Sequence, residues 1–238
     1  MSDPTPDPLA QYQHLLPPGM AQPKSFELQP RPSKTRTGGA VGIGAVLLAL
    51  LLKFKWLAIG AKFLLPFGSL VLSIWAWALV FGWTFAVGFV LLILVHEMGH
   101  FIAARAYGLP VSLPIFIPFL GAAVSIKNLP RDSKASAVVS LAGPLLGGVG
   151  ALACFAIGMQ TGNPFWLALA STMFFINLFN LIPIVPLDGG WVAHALWART
   201  SPMSMQERAA IGAAYVGLAV ALLALWQIAG HAVRIAPQ

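Results

Sequence analysis

Long apolar stretches, separated by short polar segments, make up most of the chain after residue 38. A helix needs roughly 17–25 mainly apolar residues to cross the hydrocarbon core of a bilayer. The pattern therefore predicts an all-α polytopic membrane protein. Its apolar segments lie at about 40–52, 56–66, 67–83, 84–107, 135–158, 165–183 and 207–230.

The first two apolar segments are short for membrane spans, and three lysines interrupt them. Charged side chains cost free energy in hydrocarbon, so an interfacial or re-entrant hairpin is as good an interpretation as a true span. We expect residues 39–83 to form flanking membrane segments. The lysines are Lys53, Lys55 and Lys62.

Residues 1–38 contain eight prolines among mainly polar residues. Such a segment cannot bury enough apolar surface to offset the entropy of ordering, so we predict a disordered tail. The tail lacks the features of a signal peptide, and we expect it to remain on the mature protein. Basic residues near the first apolar segment favour a cytoplasmic tail: Lys24, Arg31, Lys34 and Arg36.

The basic residues further along the chain agree with a cytoplasmic tail. Segment 67–83 would then lead outward and segment 84–107 would return, which places Arg105 in the cytoplasm. The following loop lies on the same side and carries further positive charges, as the positive-inside rule requires. These charges are Lys127, Arg131 and Lys134.

The helical pattern stops between Leu109 and Arg131, where four prolines occur among β-branched and aromatic residues. Proline cannot continue a helix, and non-helical backbone at membrane depth is tolerated only where protein or a water-filled cavity covers it. We predict a short re-entrant β-like hairpin beside the functional site. An ordinary connecting loop is the alternative.

Composition supports the membrane assignment and argues against a nucleic-acid partner and against sites built from cysteines. The chain is 58% hydrophobic and 9% charged, against roughly 25% charged residues in soluble domains. The net charge of +7 does not indicate a nucleic-acid partner, because the basic residues flank apolar segments. The single cysteine, Cys154, allows neither a disulfide framework nor a cysteine-based zinc site.

The strongest chemical motif is the H-E-x-x-H pattern formed by His96, Glu97 and His100 late in segment 84–107. Since a helix turns about 100° per residue, the two histidines lie about 40° apart and can bind one metal ion. Glu97 lies beside them, where it can accept a proton from the water that zinc activates. A chance group of core residues is the alternative, but each ionisable side chain in a membrane helix costs at least about 2.5–3.5 kcal/mol.

Catalytic zinc normally has three protein ligands, so a third must be found. Between residues 38 and 205, the carboxylates other than Glu97 are Asp132 in a loop and Asp188 after segment 165–183. That segment ends on the same side as the two histidines in the expected topology, which favours Asp188. Poorer candidates are Glu27 in the tail, Glu207 at a segment edge and His194 in an interfacial stretch.

Three motifs together resemble the site-2 protease family of intramembrane metalloproteases. Residues 96–100 (HEMGH) match its H-E-x-x-H signature, and residues 180–190 (NLIPIVPLDGG) match its N-x-x-P-x-x-x-L-D-G segment. Residues 143–147 (GPLLG) are similar to the small-residue motif of its middle core helix. The chain has no room for a PDZ module between the core helices, and nothing after Gln206 resembles a nucleotide-sensing module.

The resemblance implies a catalytic core over 84–190 with three helices, followed by C-terminal helices and a short tail over 191–238. It implies that Zn²⁺ is bound by His96, His100 and Asp188, towards the cytoplasmic side of a bacterial cell membrane. Gly143 and Gly147 would allow close helix packing. The prolines that would end the third core helix and direct Asp188 inward are Pro183 and Pro186.

The resemblance also implies how a substrate is bound. An extended peptide would pair with the loop at 110–130 as an added strand, with Gly121 and Ala122 at the paired edge. Asn180 would contact the substrate backbone or the reacting carbonyl. A hydrogen bond between helices, shared with Asn177, is the alternative role for Asn180.

The expected activity is hydrolysis of peptide bonds in membrane-protein or signal-peptide-like substrates, as in regulated intramembrane proteolysis. Control of substrate entry would depend on the tail, a homo-oligomer or a separate regulatory partner. A membrane metal transporter and an inactive protease-like scaffold are the alternatives. Transport would tolerate loss of the Glu97 base, whereas proteolysis would not.

Overall fold

The computed structural model describes residues 63–129, 131 and 133–235, with the isolated positions 14, 15, 18 and 60. Apart from those positions, the predicted tail at 1–38 and the apolar segment 40–52 lie outside the described residues. The same holds for most of segment 56–66, and for Pro130 and Asp132.

Helices make up most of the described residues, which confirms the predicted all-α class. Helices α1, α2, α3 and α6 are long and apolar enough to cross a membrane, whereas α4 has 17 residues. The bounds are α1 Phe63–Phe81, α2 Trp83–Ala106, α3 Lys134–Thr161, α4 Pro164–Asn180, α5 Asp188–Trp197 and α6 Met205–Ile235.

Local hydrogen bonds explain where several helices begin and end. The side chains of Ser133 and Asn163 each accept a backbone N–H from the first turn of α3 and α4. Ser204 and Glu207 exchange side-chain and backbone hydrogen bonds at the start of α6, as a capping box does. Helix α3 ends at Thr161 and is capped by Gly162, whose φ of 66° lies in the left-handed region that favours glycine.

Helix α3 lies between α2 and α4, and these three form the predicted helical core. Helix α6 packs on α4, and α5 packs on α3. The α2–α3 crossing is close, since a Cβ atom on Gly99 would collide with the backbone carbonyl of Ala142. The interior of the bundle is apolar and includes Val90, Leu169, Met173 and Phe174.

The third core helix is shorter than the sequence indicated. It ends at Asn180 instead of residue 183, and residues 181–187 form a series of turns before α5. Pro183 lacks a backbone N–H and disfavours helical geometry at Ile182, which accounts for the early end.

The segment between α2 and α3 contains the predicted β-like hairpin. Strand β1 (Ile115–Ile117) pairs antiparallel with β2 (Gly121–Ala123), with Phe116 opposite Ala122. A further bridge joins Val111 to Ile126. The segment is therefore a hairpin and not an ordinary connecting loop.

Candidate metal centre and active site

Three side chains from two distant parts of the chain converge beside α3. The Nε2 atoms of His96 and His100, one helical turn apart on α2, lie 3.2 Å from each other. Each lies 3.3 Å from a carboxylate oxygen of Asp188, at the start of α5. Within the described ranges, this is the single group of His, Cys, Asp or Glu side chains close enough to hold a metal ion.

Both imidazoles are oriented by hydrogen bonds at Nδ1. His96 Nδ1 lies 2.7 Å from Asn177 Oδ1 on α4, and His100 Nδ1 lies 2.8 Å from the Val139 carbonyl oxygen on α3. These oxygens can only accept, so Nδ1 carries the proton in each ring. Each Nε2 therefore presents a lone pair to the other two groups.

The donor set fits a tetrahedral metal ion such as zinc. Bonds of about 2.0–2.1 Å to zinc separate tetrahedral ligand atoms by roughly 3.3 Å, which agrees with the distances among His96, His100 and Asp188. Two lone pairs cannot hydrogen-bond to each other, whereas a cation between them satisfies both. The hydrogen bonds at Nδ1 are those that metal-binding histidines ordinarily make.

Glycines on α3 make room for this arrangement. A Cβ atom on Gly143 would collide with His100 Nε2, and one on Gly147 would collide with Asn177 Oδ1. These glycines therefore do more than let two helices pack closely, which was their expected role. They leave space for a candidate ligand and for the amide that orients the other imidazole.

Glycines also allow Asp188 to return to the core after α4 has ended. Cβ atoms on Gly189 and Gly190 would collide with the backbone of the preceding turns, so α5 lies tightly against residues 181–185. The hydroxyl of Tyr215 on α6 donates to the Leu181 carbonyl and holds the same turns. The Leu-Asp-Gly-Gly sequence thus positions the Asp188 carboxylate next to α2.

Glu97 lies beside the candidate metal ligands in a cavity of about 680 Å³. Its side chain is buried, and the backbone N–H of Val124, just after β2, is close enough to interact with its carboxylate. The cavity is lined by the three candidate ligands, by the hairpin residues 119–124 and by the end of α4. The candidate base, the ligands and a strand therefore face one space.

The two edges of the hairpin differ in their surroundings. The Phe116 N–H donates to Ser69 Oγ of α1 at 3.0 Å, so the outer edge of β1 is occupied. In an antiparallel pair, residues opposite each other point their polar groups the same way, either both between the strands or both outward. Ala122, opposite Phe116, therefore directs its N–H and C=O outward from β2, on the side of the cavity.

Comparison with known proteins identifies the family. The model of peptidase family M50 matches residues 84–164 and 160–224, together more than half of the chain. The chain belongs to peptidase family M50. This membership agrees with the resemblance to site-2 proteases. Together with the long apolar helices, it shows that the M50 chain is an integral membrane protein.

Curated relatives of this M50 chain are named as zinc metalloproteases. Rip3 of Mycobacterium tuberculosis is 34% identical over 142 residues, which cover 55% of this chain and 35% of that protein. MJ0392 of Methanocaldococcus jannaschii is 28% identical over 122 residues, which cover 48% of this chain and 35% of that protein. The sll0528 protein of Synechocystis sp. is 29% identical over 147 residues, which cover 57% of this chain and 38% of that protein.

The M50 chain thus spans little more than a third of the length of these relatives. No solved structure matches it.

The other residues singled out in the sequence divide into three groups. Asn180, Gly121 and Ala122 line the same cavity as the candidate metal ligands of this M50 chain. His194 and Glu207 lie outside the group of possible ligands: His194 is exposed, and Glu207 forms an ion pair with Lys134 at 3.0 Å. Asp132 and Glu27, considered as ligands, lie outside the described residues.

The groups that orient the two imidazoles were not predicted from the sequence. Asn177 was considered as a partner of Asn180, but its Oδ1 bonds to His96 and its Nδ2 donates to the Met173 carbonyl at 2.8 Å. Its polarity within an apolar helix was the available signal. The Val139 carbonyl gave none, because every residue has one.

Proposed function

We propose that the chain is a zinc metalloendopeptidase that hydrolyses peptide bonds in membrane-embedded protein substrates, and that it acts in regulated intramembrane proteolysis. The proposal rests chiefly on one observation: three possible ligands, a buried carboxylate and an open strand edge face a single cavity. Membership of a peptidase family and the names of the relatives support it.

In this proposal His96, His100 and Asp188 hold the zinc, and Glu97 is the general base. Zinc supplies a Lewis acid that polarises the scissile carbonyl and lowers the pKa of water. Glu97 accepts a proton from the attacking water and transfers it to the nitrogen of the leaving amine. Burial of Glu97 keeps bulk water from competing for this proton.

The substrate would bind as an extended strand along the free edge of β2. Ala122 offers the outward N–H and C=O for main-chain hydrogen bonds. Gly121, which has no side chain, would leave the approach to this edge open. Asn180, at the end of α4 in the same cavity, would donate to the substrate backbone or to the reacting carbonyl.

We infer that the metal centre lies towards the cytoplasm, in a bacterial cell membrane. The ion pair between Lys134 and Glu207 joins the beginnings of α3 and α6, so both begin on one side. The same side carries an excess of positive charge, while the connections at residues 82 and 162–163 carry none. The basic residues on the side where α3 and α6 begin include Arg105, Arg131, Lys134, Arg199 and Arg208.

Exchange of Glu97 for glutamine tests the proposed chemistry. The Glu97→Gln protein should keep its zinc, because Glu97 is not a ligand, and lose at least about a hundredfold in cleavage rate, since the base is gone. The measurements are zinc content by elemental analysis and cleavage of a membrane-embedded substrate in vesicles. Full proteolysis by this variant would overturn the proposal, and metal flux that survives the substitution would favour a transporter.

Two further variants complete this experiment. Asp188→Ala removes a proposed ligand and should lose both zinc and cleavage. His194→Ala, which changes an exposed residue on the same helix, should lose neither. Undiminished zinc in the Asp188→Ala protein would refute the proposed ligand set.

A further inference from the structure

A cationic side chain is stacked on an aromatic ring at the cavity wall. The guanidinium carbon of Arg131 lies 4.1 Å from the ring centroid of Trp191. Both residues line the cavity that contains Glu97 and the metal centre. Arg131 is exposed, and a cation–π interaction at such a site is modest but favours the position of the guanidinium over the indole.

Trp191 places this cation close to the proposed chemistry. It lies three residues after Asp188 on α5, and side chains three apart on a helix are neighbours, with Cβ atoms about 5–6 Å apart. The guanidinium therefore lies at the part of the cavity wall formed by α5, the helix that begins with a proposed zinc ligand. An extended molecule in this cavity can contact both Arg131 and the candidate metal centre.

The stacked guanidinium retains capacity to bind an anion. Stacking uses the face of the guanidinium and leaves its N–H groups free in the plane, where they match a carboxylate in a bidentate manner. Among the residues that the structure describes, the ion pairs involve His96, His100, Asp188, Lys134 and Glu207, and not Arg131.

We propose that Arg131, positioned by Trp191, is a specificity site that binds an acidic side chain of the substrate. The proposal rests on the proteolytic function proposed above. An extended chain advances about 3.3 Å per residue, so the Asp or Glu lies within about three residues of the cleaved bond. The chain thereby selects substrates with a carboxylate on the flank of the cleavage site that faces α5.

A substrate carboxylate fits this location better than a lipid phosphate does. Arg131 is exposed at the rim of the cavity that contains the candidate base, so a peptide in this cavity can reach both groups. Arg105 provides the contrast: its guanidinium carbon lies 5.6 Å from the Phe101 ring centroid, and Arg105 is not among the cavity-lining residues.

The test uses short apolar peptides in which one Glu, or one Gln in a matched peptide, is moved along the sequence. Binding to the full chain carrying Glu97→Gln is measured in detergent by fluorescence anisotropy, and cleavage by the wild type is followed by mass spectrometry. At one or two positions we expect the Glu peptide to bind about tenfold more tightly than its Gln partner, as for one charge-assisted hydrogen bond.

Variants assign that preference to the proposed site. Arg131→Gln should abolish the Glu preference, and Arg131→Glu should reverse it towards a Lys peptide. Trp191→Leu should weaken it, and Arg105→Gln should leave it intact. The proposed specificity site would be refuted by either of two results. One is equal binding of the Glu and Gln peptides by the parent protein, and the other is loss of binding of both peptides in the Arg131→Gln variant.

The two proposals fail in distinguishable ways. Cleavage without a charge preference would remove the specificity site and leave the protease. A charge preference in binding without any cleavage above the Glu97→Gln background would remove the protease and leave an anion-binding site.

Discussion

At the scale of single residues, the candidate metal centre depends on an amide from a third helix. Asn177 is fully buried, and its donation to the Met173 carbonyl fixes which way the amide points. Its Oδ1 therefore faces His96 and holds the proton on Nδ1. An acceptor in this position sets the tautomer and the orientation of the ring.

Asn177→Ala should therefore weaken zinc binding by about 10–100-fold, as loss of such a supporting hydrogen bond does. Competition with a chelator would measure the affinity. Asn180→Ala is the matched control, because Asn180 lies on the same helix but faces the cavity. That variant should keep the affinity and lose cleavage rate. Equal zinc affinity in wild type and Asn177→Ala would remove this role from the amide.

Site residues could be predicted from the sequence where they lie close together along the chain or belong to a recognisable motif. His96 and His100 are one helical turn apart, and Asp188 was selected because few carboxylates occur in the membrane segments. The bond between His96 and Asn177 joins residues 81 positions apart, and its existence depends on how α2 and α4 cross. No local spacing encodes that crossing, so this contact could not be read from one sequence.

At the scale of elements, α3 acts as a template for the two helices beside it. Its face towards the site carries glycine at positions 143 and 147, and each contacts a polar side chain of a neighbouring helix. A side chain at either position would occupy the space of an imidazole or an amide. The small residues thus determine which polar groups can meet at the centre of the bundle.

Gly143→Ala should lower zinc content towards that of Asp188→Ala, because the added methyl group collides with the proposed ligand atom of His100. Gly217→Ala is the control: the new methyl group on α6 would meet no atom within 4 Å, and alanine is favoured over glycine in a helix. Elemental analysis and helical circular dichroism of both purified proteins would separate loss of metal from loss of fold. Normal zinc content in Gly143→Ala would contradict the assignment.

The elements themselves were predicted unevenly. Long apolar segments gave the core helices to within a few residues, because length and hydropathy determine a span. Helix α5 is only 10 residues long and was not separated from the rest of the C-terminal region. Its first residue is Asp188, so the sequence located the carboxylate without revealing that a helix begins there.

At the scale of the whole molecule, positive charge accumulates at one end of the bundle. The basic residues between α2 and α3 lie at the same end as those before α6, and that end is near the metal centre. Arg234 is the basic residue at the far end of α6. The asymmetry predicts the orientation of the entire chain in a membrane.

Single cysteines on a Cys154→Ala background test this orientation. Gln206→Cys, at the start of α6, should react with an impermeant thiol reagent only from the cytoplasmic side. Gln160→Cys, at the end of α3, should react only from the opposite side, and both positions are exposed. Inside-out and right-side-out vesicles supply the two conditions. The reverse labelling pattern would place the metal centre away from the cytoplasm.

The hairpin has a consequence for how copies of this protein behave towards each other. Exposed strand edges are templates on which further strands assemble into aggregates. Here the Ser69 hydroxyl accepts the outward N–H of Phe116 on one edge, and the residues of the other strand line the cavity. In the proposed function this strand offers its backbone hydrogen bonds to one incoming peptide inside the cavity, and not to neighbouring proteins in a crowded membrane.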